Sequence, residues 1–188
     1  MTRPRPIAVR AVAVLLGAVL CLGAMPVRAD EAGDIDRLLR SGRTDEALAR
    51  IDRALAAKPG DPQMRFLHGV ALADAKRTDE ATEVLVRLTE DYPELAEPYN
   101  NLAVLYAATG AYDKARNALE AAVRNNPGYA TAYENLGDVY ARLAAASYSR
   151  VQQLDAANRS AGSKLAQLRG VFAPAGASPG RAASASAR

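Results

Sequence analysis

Pro59, Pro93 and Pro127 stand 34 residues apart, and the side chains between them keep the same period. In register with them come Ala47, Ala81 and Ala115, then Ile51, Leu85 and Leu119, then Ala54, Leu88 and Ala122. Upstream, Gly69, Ala103 and Gly137 share the spacing, as do Leu38, Leu72, Tyr106 and Tyr140. Self-similarity at such a period means a stack of supersecondary units, each too small to bury its own apolar face. The unit is helical: alanine dominates the apolar residues, tryptophan is absent and phenylalanine occurs twice, which suits close helix packing better than sheets of branched and aromatic residues.

The physics of each position fits helix pairs. Small residues such as Gly69 and Ala81 let two antiparallel helices approach, and bulky ones fill the space on either side. Each periodic proline ends a helix, because its ring clashes with the preceding turn. Pro62 and Pro98 fall where the next helix begins and lose no hydrogen bond there. Thr44 and Thr78 are placed as caps, followed by Asp45-Glu46 and Asp79-Glu80 at the positive end of the helix dipole.

The third unit reads Tyr99, Leu102-Ala103, Tyr106, Gly110, Tyr112, Ala115, Leu119, Ala122, Pro127. This pattern resembles the tetratricopeptide repeat family, over about residues 30–143 and only in part over 144–156. The second unit departs at His68 for the usual leucine, Lys76 for the turn glycine and Leu88 for a small residue, and the first lacks most of its leading helix pattern. The resemblance implies an all-α fold, a short right-handed solenoid of antiparallel helix pairs with units near 30–61, 62–95, 96–129 and 130–157. It also implies that Tyr99, Tyr106, Tyr133 and Tyr140 are packing residues.

The fourth unit breaks the pattern. Nine residues separate Tyr106 from Ala115, but only four separate Tyr140 from Ala144. The missing five are the turn, and Tyr148 and Val151 then follow in register with Leu119 and Ala122. With no Gly or Pro except Gly137 between Ala130 and Leu154, the chain is expected to run on as one helix of about 25 residues. Its second half then cannot cover its first. Either a closing helix over 158–172, with Ala161, Leu165, Leu168 and Phe172 on one face, buries that surface, or another subunit does.

The ends read differently. Arg3, Arg5 and Arg10 precede an uncharged run from Ala11 to Met25, and Val27-Arg28-Ala29 places small residues before a cut, as in a cleavable secretory signal over 1–29. The run is short for a membrane span. Leu20 before Cys21 argues against a lipoprotein signal. Loss of that segment removes the lone cysteine and four arginines, leaving 20 basic against 21 acidic side chains, with no disulfide or cysteine metal site. Residues 173–188 are Ala, Ser, Gly, Pro and Arg only and are expected to be disordered. The chain is therefore expected to be exported to a periplasm, with an uncleaved inner-membrane anchor as the alternative.

Chemistry is sparse. One histidine and no cysteine after residue 29 leave little for catalysis, no phosphate loop or calcium loop is present, and no cofactor or metal is expected. His68 reads as a helix-interface residue, and Asp34 and Asp36 as solvated. Residues 30–143 hold 14 basic and 20 acidic side chains and 144–188 hold 6 and 1, an acidic array with a basic end that does not suit nucleic acid.

What the resemblance leaves is a concave face lined by the first helix of each unit. By register the lining is Gln63, Phe66, Leu67, Val70 and Asp74, then Glu97, Asn100, Asn101 and Val104, then Thr131, Glu134, Asn135, Asp138 and Arg142. Asn101 and Asn135 occupy slots where some relatives hold a peptide backbone with asparagines, although asparagine is also common there without that role. Relatives that grip chaperone C-termini carry basic residues where this chain has Thr131 and Asn135. The expected partner is a basic or apolar peptide segment, or a helix, of another exported or envelope protein. The alternatives are a structural subunit that self-associates, a homodimer included, or one that sits at a membrane surface through its basic end.

Overall fold

The computed structural model describes residues 31–172. The segments expected to be a signal, 1–29, and a disordered tail, 173–188, lie outside the described residues. Among the described residues eight helices follow one another: α1 (Glu31–Arg40), α2 (Thr44–Ala57), α3 (Pro62–Asp74), α4 (Thr78–Asp91), α5 (Ala96–Ala108), α6 (Tyr112–Asn125), α7 (Ala130–Leu154) and α8 (Arg159–Val171). Each packs on its neighbours in sequence, and α1, α3, α5 and α7 meet in succession to form one side of an all-α solenoid.

The periodic residues do what their spacing requires. Pro59, Pro93 and Pro127 each follow the C-cap residues Lys58, Tyr92 and Asn126. Within each pair the turn is a Schellman-type reversal. Arg43 N–H donates to the Leu38 carbonyl, Arg77 to Leu72 and Ala111 to Tyr106, at 2.9, 2.9 and 2.8 Å. The turn residue is left-handed each time: Gly42 at φ 74°, Lys76 at 63° and Gly110 at 77°. Between units, Tyr92 donates its hydroxyl to the Gly60 carbonyl at 2.7 Å and Asn125 its amide to the Pro93 carbonyl at 2.6 Å, so each junction is tied to the one before.

Ala47, Ala81 and Ala115 are fully buried, with Ile51, Leu85 and Leu119 beside them. The core is in two stretches, one around Ile35, Ile51 and Ala71 and one running from Leu85 to Val139. Two caps differ from expectation. Thr44 and Thr78 are the first helical residues, while Arg43 and Arg77 hold the N-cap positions without a side-chain cap bond. Those arginines instead form two-pronged pairs with Glu46 and Glu80 one turn on. A side-chain cap is made at α3, where Asp61 accepts from the Gln63 and Met64 N–H groups ahead of Pro62. Asp34 and Asp36 diverge as expected, each pairing with an arginine on the same helix.

In the fourth unit α7 runs unbroken for 25 residues. The closing helix is α8, capped by Asn158 and antiparallel to the second half of α7: Gly162 lies at Gln152, Lys164 over the Tyr148 ring and Phe172 at Arg142. Ala144, Tyr148 and Val151 become half-buried. One expectation fails here. Tyr133 and Tyr140 are not core residues but 51% and 48% exposed, because the helix that covers their counterparts in other units has no turn to bring it back.

Candidate functional site

The face formed by α3, α5 and α7 carries the residues expected to line a groove. Gln63, Asp74, Glu97, Val104, Thr131, Glu134, Asp138 and Arg142 are exposed, and Phe66, Val70, Asn101 and Asn135 are half-buried. Two residues depart from the expected lining. Leu67 turns into the core beside Met64, and Asn100 is buried at 6% exposure.

Asn100 is nevertheless the key to the local geometry. A buried carboxamide needs a partner, and Asn135 of α7 donates its amide to the Asn100 Oδ1 at 2.9 Å. The bond joins α5 to α7 and orients Asn135 at the edge of the groove. Asn101 donates to the Glu97 carbonyl of its own helix at 3.0 Å. Each of these two amides therefore keeps its carbonyl oxygen for an incoming N–H, and Asn135 keeps one N–H as well.

The structure gathers Val104, Asn135, Asp138 and Arg142 around a cleft of ≈ 310 Å³. Ala103 and Ala107 of α5, Tyr112 and Leu119 of α6, Val139 of α7 and Phe172 complete its wall. Val104 is 50% exposed, an apolar side chain held out at the cleft. Phe172 and Ala107 are absent from the sequence-derived lining. Phe172 is legible only as an apolar residue of the closing helix; its arrival here follows from the antiparallel course of α8. Its ring lies 3.8 Å from the Arg142 guanidinium carbon, a stacked arrangement that engages the one basic residue among the expected lining. Gln63 and Asp74 stand on α3, away from this cleft.

A second cleft, ≈ 370 Å³, lies between α2, α3 and α4, lined by charged residues around His68. His68 is at a helix interface, with Nε2 3.9 Å from an Asp52 carboxylate oxygen. Burial holds its imidazole below the ordinary value, against the pull of Asp52. Among the described residues no group of three or more His, Cys, Asp or Glu side chains is placed to hold a metal, and no helix is long and apolar enough to cross a membrane.

A stack of helix pairs in which the first helices of successive units meet along one side defines a helical-repeat protein. Two tetratricopeptide repeat models match residues 35–96 and 72–137, together more than half of the 188 residues, and the chain belongs to that family. It is 34% identical over 89 residues to the TPR repeat-containing thioredoxin TTL4 of Arabidopsis thaliana, covering 47% of this chain. The match takes in 13% of that protein's length. Among solved structures, the thermophilic TPR protein TTC0263 of Thermus thermophilus superposes with a TM-score of 0.57 at 26% identity, over 75% of this chain and 80% of that one. YrrB, a TPR protein with an unusual peptide-binding site, gives 0.51 at 27% identity over 55% and 54%.

Proposed function

We propose that this chain is an exported adaptor that binds another envelope protein by holding an extended peptide, or the edge of a helix, along the α5–α7 side of its concave face. The observation that carries this reading is the cleft itself. It pairs an apolar wall (Val104, Ala107, Phe172) with the Asn135 amide, which still has hydrogen-bonding capacity, beside the carboxylate of Asp138. A backbone ligand satisfies the Asn135 amide, and an apolar side chain fills the wall.

Charge selects among ligands. Glu97, Glu134 and Asp138 are exposed along this face, while Arg142 is stacked on Phe172. A basic or apolar segment is matched, and an acidic one is repelled. The peptide-binding site of YrrB supports the same use of the fold. Binding, not catalysis, is the work of such a surface. The reading of export rests on the first 29 residues, with their basic start, apolar run and small residues before Asp30.

Labelled peptides of basic-apolar and acidic-apolar sequence, titrated in fluorescence anisotropy against the protein and its uncharged Val104→Asn variant, test the groove. The basic series should bind and lose affinity in salt and in the variant. Equal binding of acidic peptides, or indifference to Val104→Asn, counts against it. Mass spectrometry of the protein recovered from cells tests export: a chain starting at Asp30 supports it, and retention of Cys21 speaks against it.

A further inference from the structure

Helix α8 ends at the cleft. Phe172 is its C-cap residue and also part of the cleft wall, with its ring on the Arg142 guanidinium. The backbone therefore leaves the described fold beside the α5–α7 groove, and residues 173–188 begin where a bound peptide would lie.

Those sixteen residues have the chemistry to which the groove is matched. They hold Arg181 and Arg188 and no acidic residue, and the rest are Ala, Ser, Gly and Pro. Pro174 and Pro179 disfavour helix and favour extended backbone, which leaves main-chain N–H and C=O groups without partners of their own. Asn135 keeps an N–H and its carbonyl oxygen for such groups, and small side chains let a backbone come close to it. The charge along the groove is negative: Glu97, Glu134 and Asp138 are exposed, while Arg142 is engaged by Phe172.

Distance permits the contact. Arg142 and Asn135 are seven residues apart on α7, about 10 Å along a helix. About three extended residues cover that, at roughly 3.3 Å each, which brings Ala175 and Gly176 level with Asn135. Arg181, further on, is then within reach of Glu134 and Glu97.

We infer that residues 173–188 occupy the α5–α7 groove as an intramolecular ligand and that a partner binds by displacing them, which rests on the groove being the peptide site proposed above. A tethered segment meets its site at an effective concentration on the order of millimolar, so a contact of only millimolar intrinsic affinity is populated about half of the time. Between Phe172 and Arg181 the segment offers no side chain larger than proline to the wall of Val104 and Ala107. A basic peptide that carries a larger apolar residue displaces it, and one that lacks such a residue does not. The segment thereby sharpens the choice of partner.

The test compares three forms of the whole chain: the parent, a tail variant with Arg181→Glu and Arg188→Glu, and a charge-matched control with Arg124→Glu and Arg159→Glu. The two control arginines are exposed on α6 and α8. NMR resonances of the Val104 methyls and the Asn135 side-chain amide should shift between parent and tail variant and coincide between parent and control. The labelled basic-apolar peptide should bind the tail variant about twofold or more tighter than the control, because the groove is no longer partly occupied. Equal peptide affinity in tail variant and control, or groove resonances that stay in place in the tail variant, overturns the inference, and the groove reading stands as long as the peptide binds. Binding of the peptide by none of the three forms overturns the groove reading, and this inference with it.

Discussion

Asn135 of α7 donates its side-chain amide to the Oδ1 of Asn100 of α5 across 2.9 Å, and this bond makes one of the two groove asparagines structural as well as accessible. Asn135→Ala leaves the buried Asn100 carboxamide without its partner. Loss of about 1–3 kcal/mol is expected in urea unfolding. Asn101 bonds only to its own helix backbone, so Asn101→Ala should stay within about 0.5 kcal/mol of the parent. A peptide-affinity change in Asn101→Ala therefore reports the groove, and one in Asn135→Ala must first be corrected for stability.

The contrast between these two asparagines shows how far the sequence could be read. Register placed both on the first helices of their units, since the 34-residue period fixes which face each position occupies. It could not tell Asn100, one residue before Asn101, from a lining residue. That depends on the angle at which α7 crosses α5, a property of the packing. The long α7 was legible because a deletion of turn residues is visible against the period. The exposure of Tyr133 and Tyr140 follows from the same deletion but is hidden by the family pattern, which marks where a side chain expects a neighbour, not whether the neighbour comes. Phe172 is legible in the sequence as the last apolar residue of the closing segment, but its contact with Arg142 is not, because no periodic relationship links α8 to α7.

His68 gives a pH dependence with a defined sign. Burial lowers its pKa from the ordinary 6.5, so the unfolded chain takes up a proton at higher pH than the folded one. Stability is then unaffected well above 6.5 and falls as pH drops through 6.5 toward the folded-state value. Glu46 and Glu80, lowered by their hydrogen bonds to Arg43 and Arg77, lose their contribution only on further acidification, below their ordinary 4.5. Melting temperatures measured from pH 8 to about 5 should decline for the parent and less for His68→Leu, the residue of the repeat pattern. Parallel curves would show that His68 has no part in the decline.

Lys76 holds the left-handed conformation at φ 63° that glycines hold at the equivalent Gly42 and Gly110. A side chain there costs about 1–2 kcal/mol relative to ordinary helical backbone, and glycine avoids the clash at some entropic cost to the unfolded chain. Lys76→Gly is expected to stabilise the protein by about 0.5–1 kcal/mol, and Gly110→Ala to destabilise it by a similar amount or more. The midpoint of urea unfolding decides both, and no change in either would mean that the turns relax into another geometry.

Gly69 and Gly137 occupy the same place in first helices two units apart, and should respond to alanine with opposite signs. Alanine is the better helix former, worth about 0.5–1 kcal/mol over glycine inside a helix. At Gly137 nothing lies within 4 Å of the added carbon, so the isolated chain should gain that amount. At Gly69 the carbon would sit 2.7 Å from both Cγ and Cδ2 of Leu85, and the branch point of a fully buried leucine cannot swing aside as a flexible tip would. Helices α3 and α4 must then separate or Leu85 must leave its rotamer, at about 1–3 kcal/mol, which outweighs the propensity gain. Gly69→Ala should lower the unfolding midpoint, and pairing it with Leu85→Ala should show coupling, since the clash disappears with the leucine. Additive losses in that double mutant would mean that Gly69 is small for some reason other than the approach of α4.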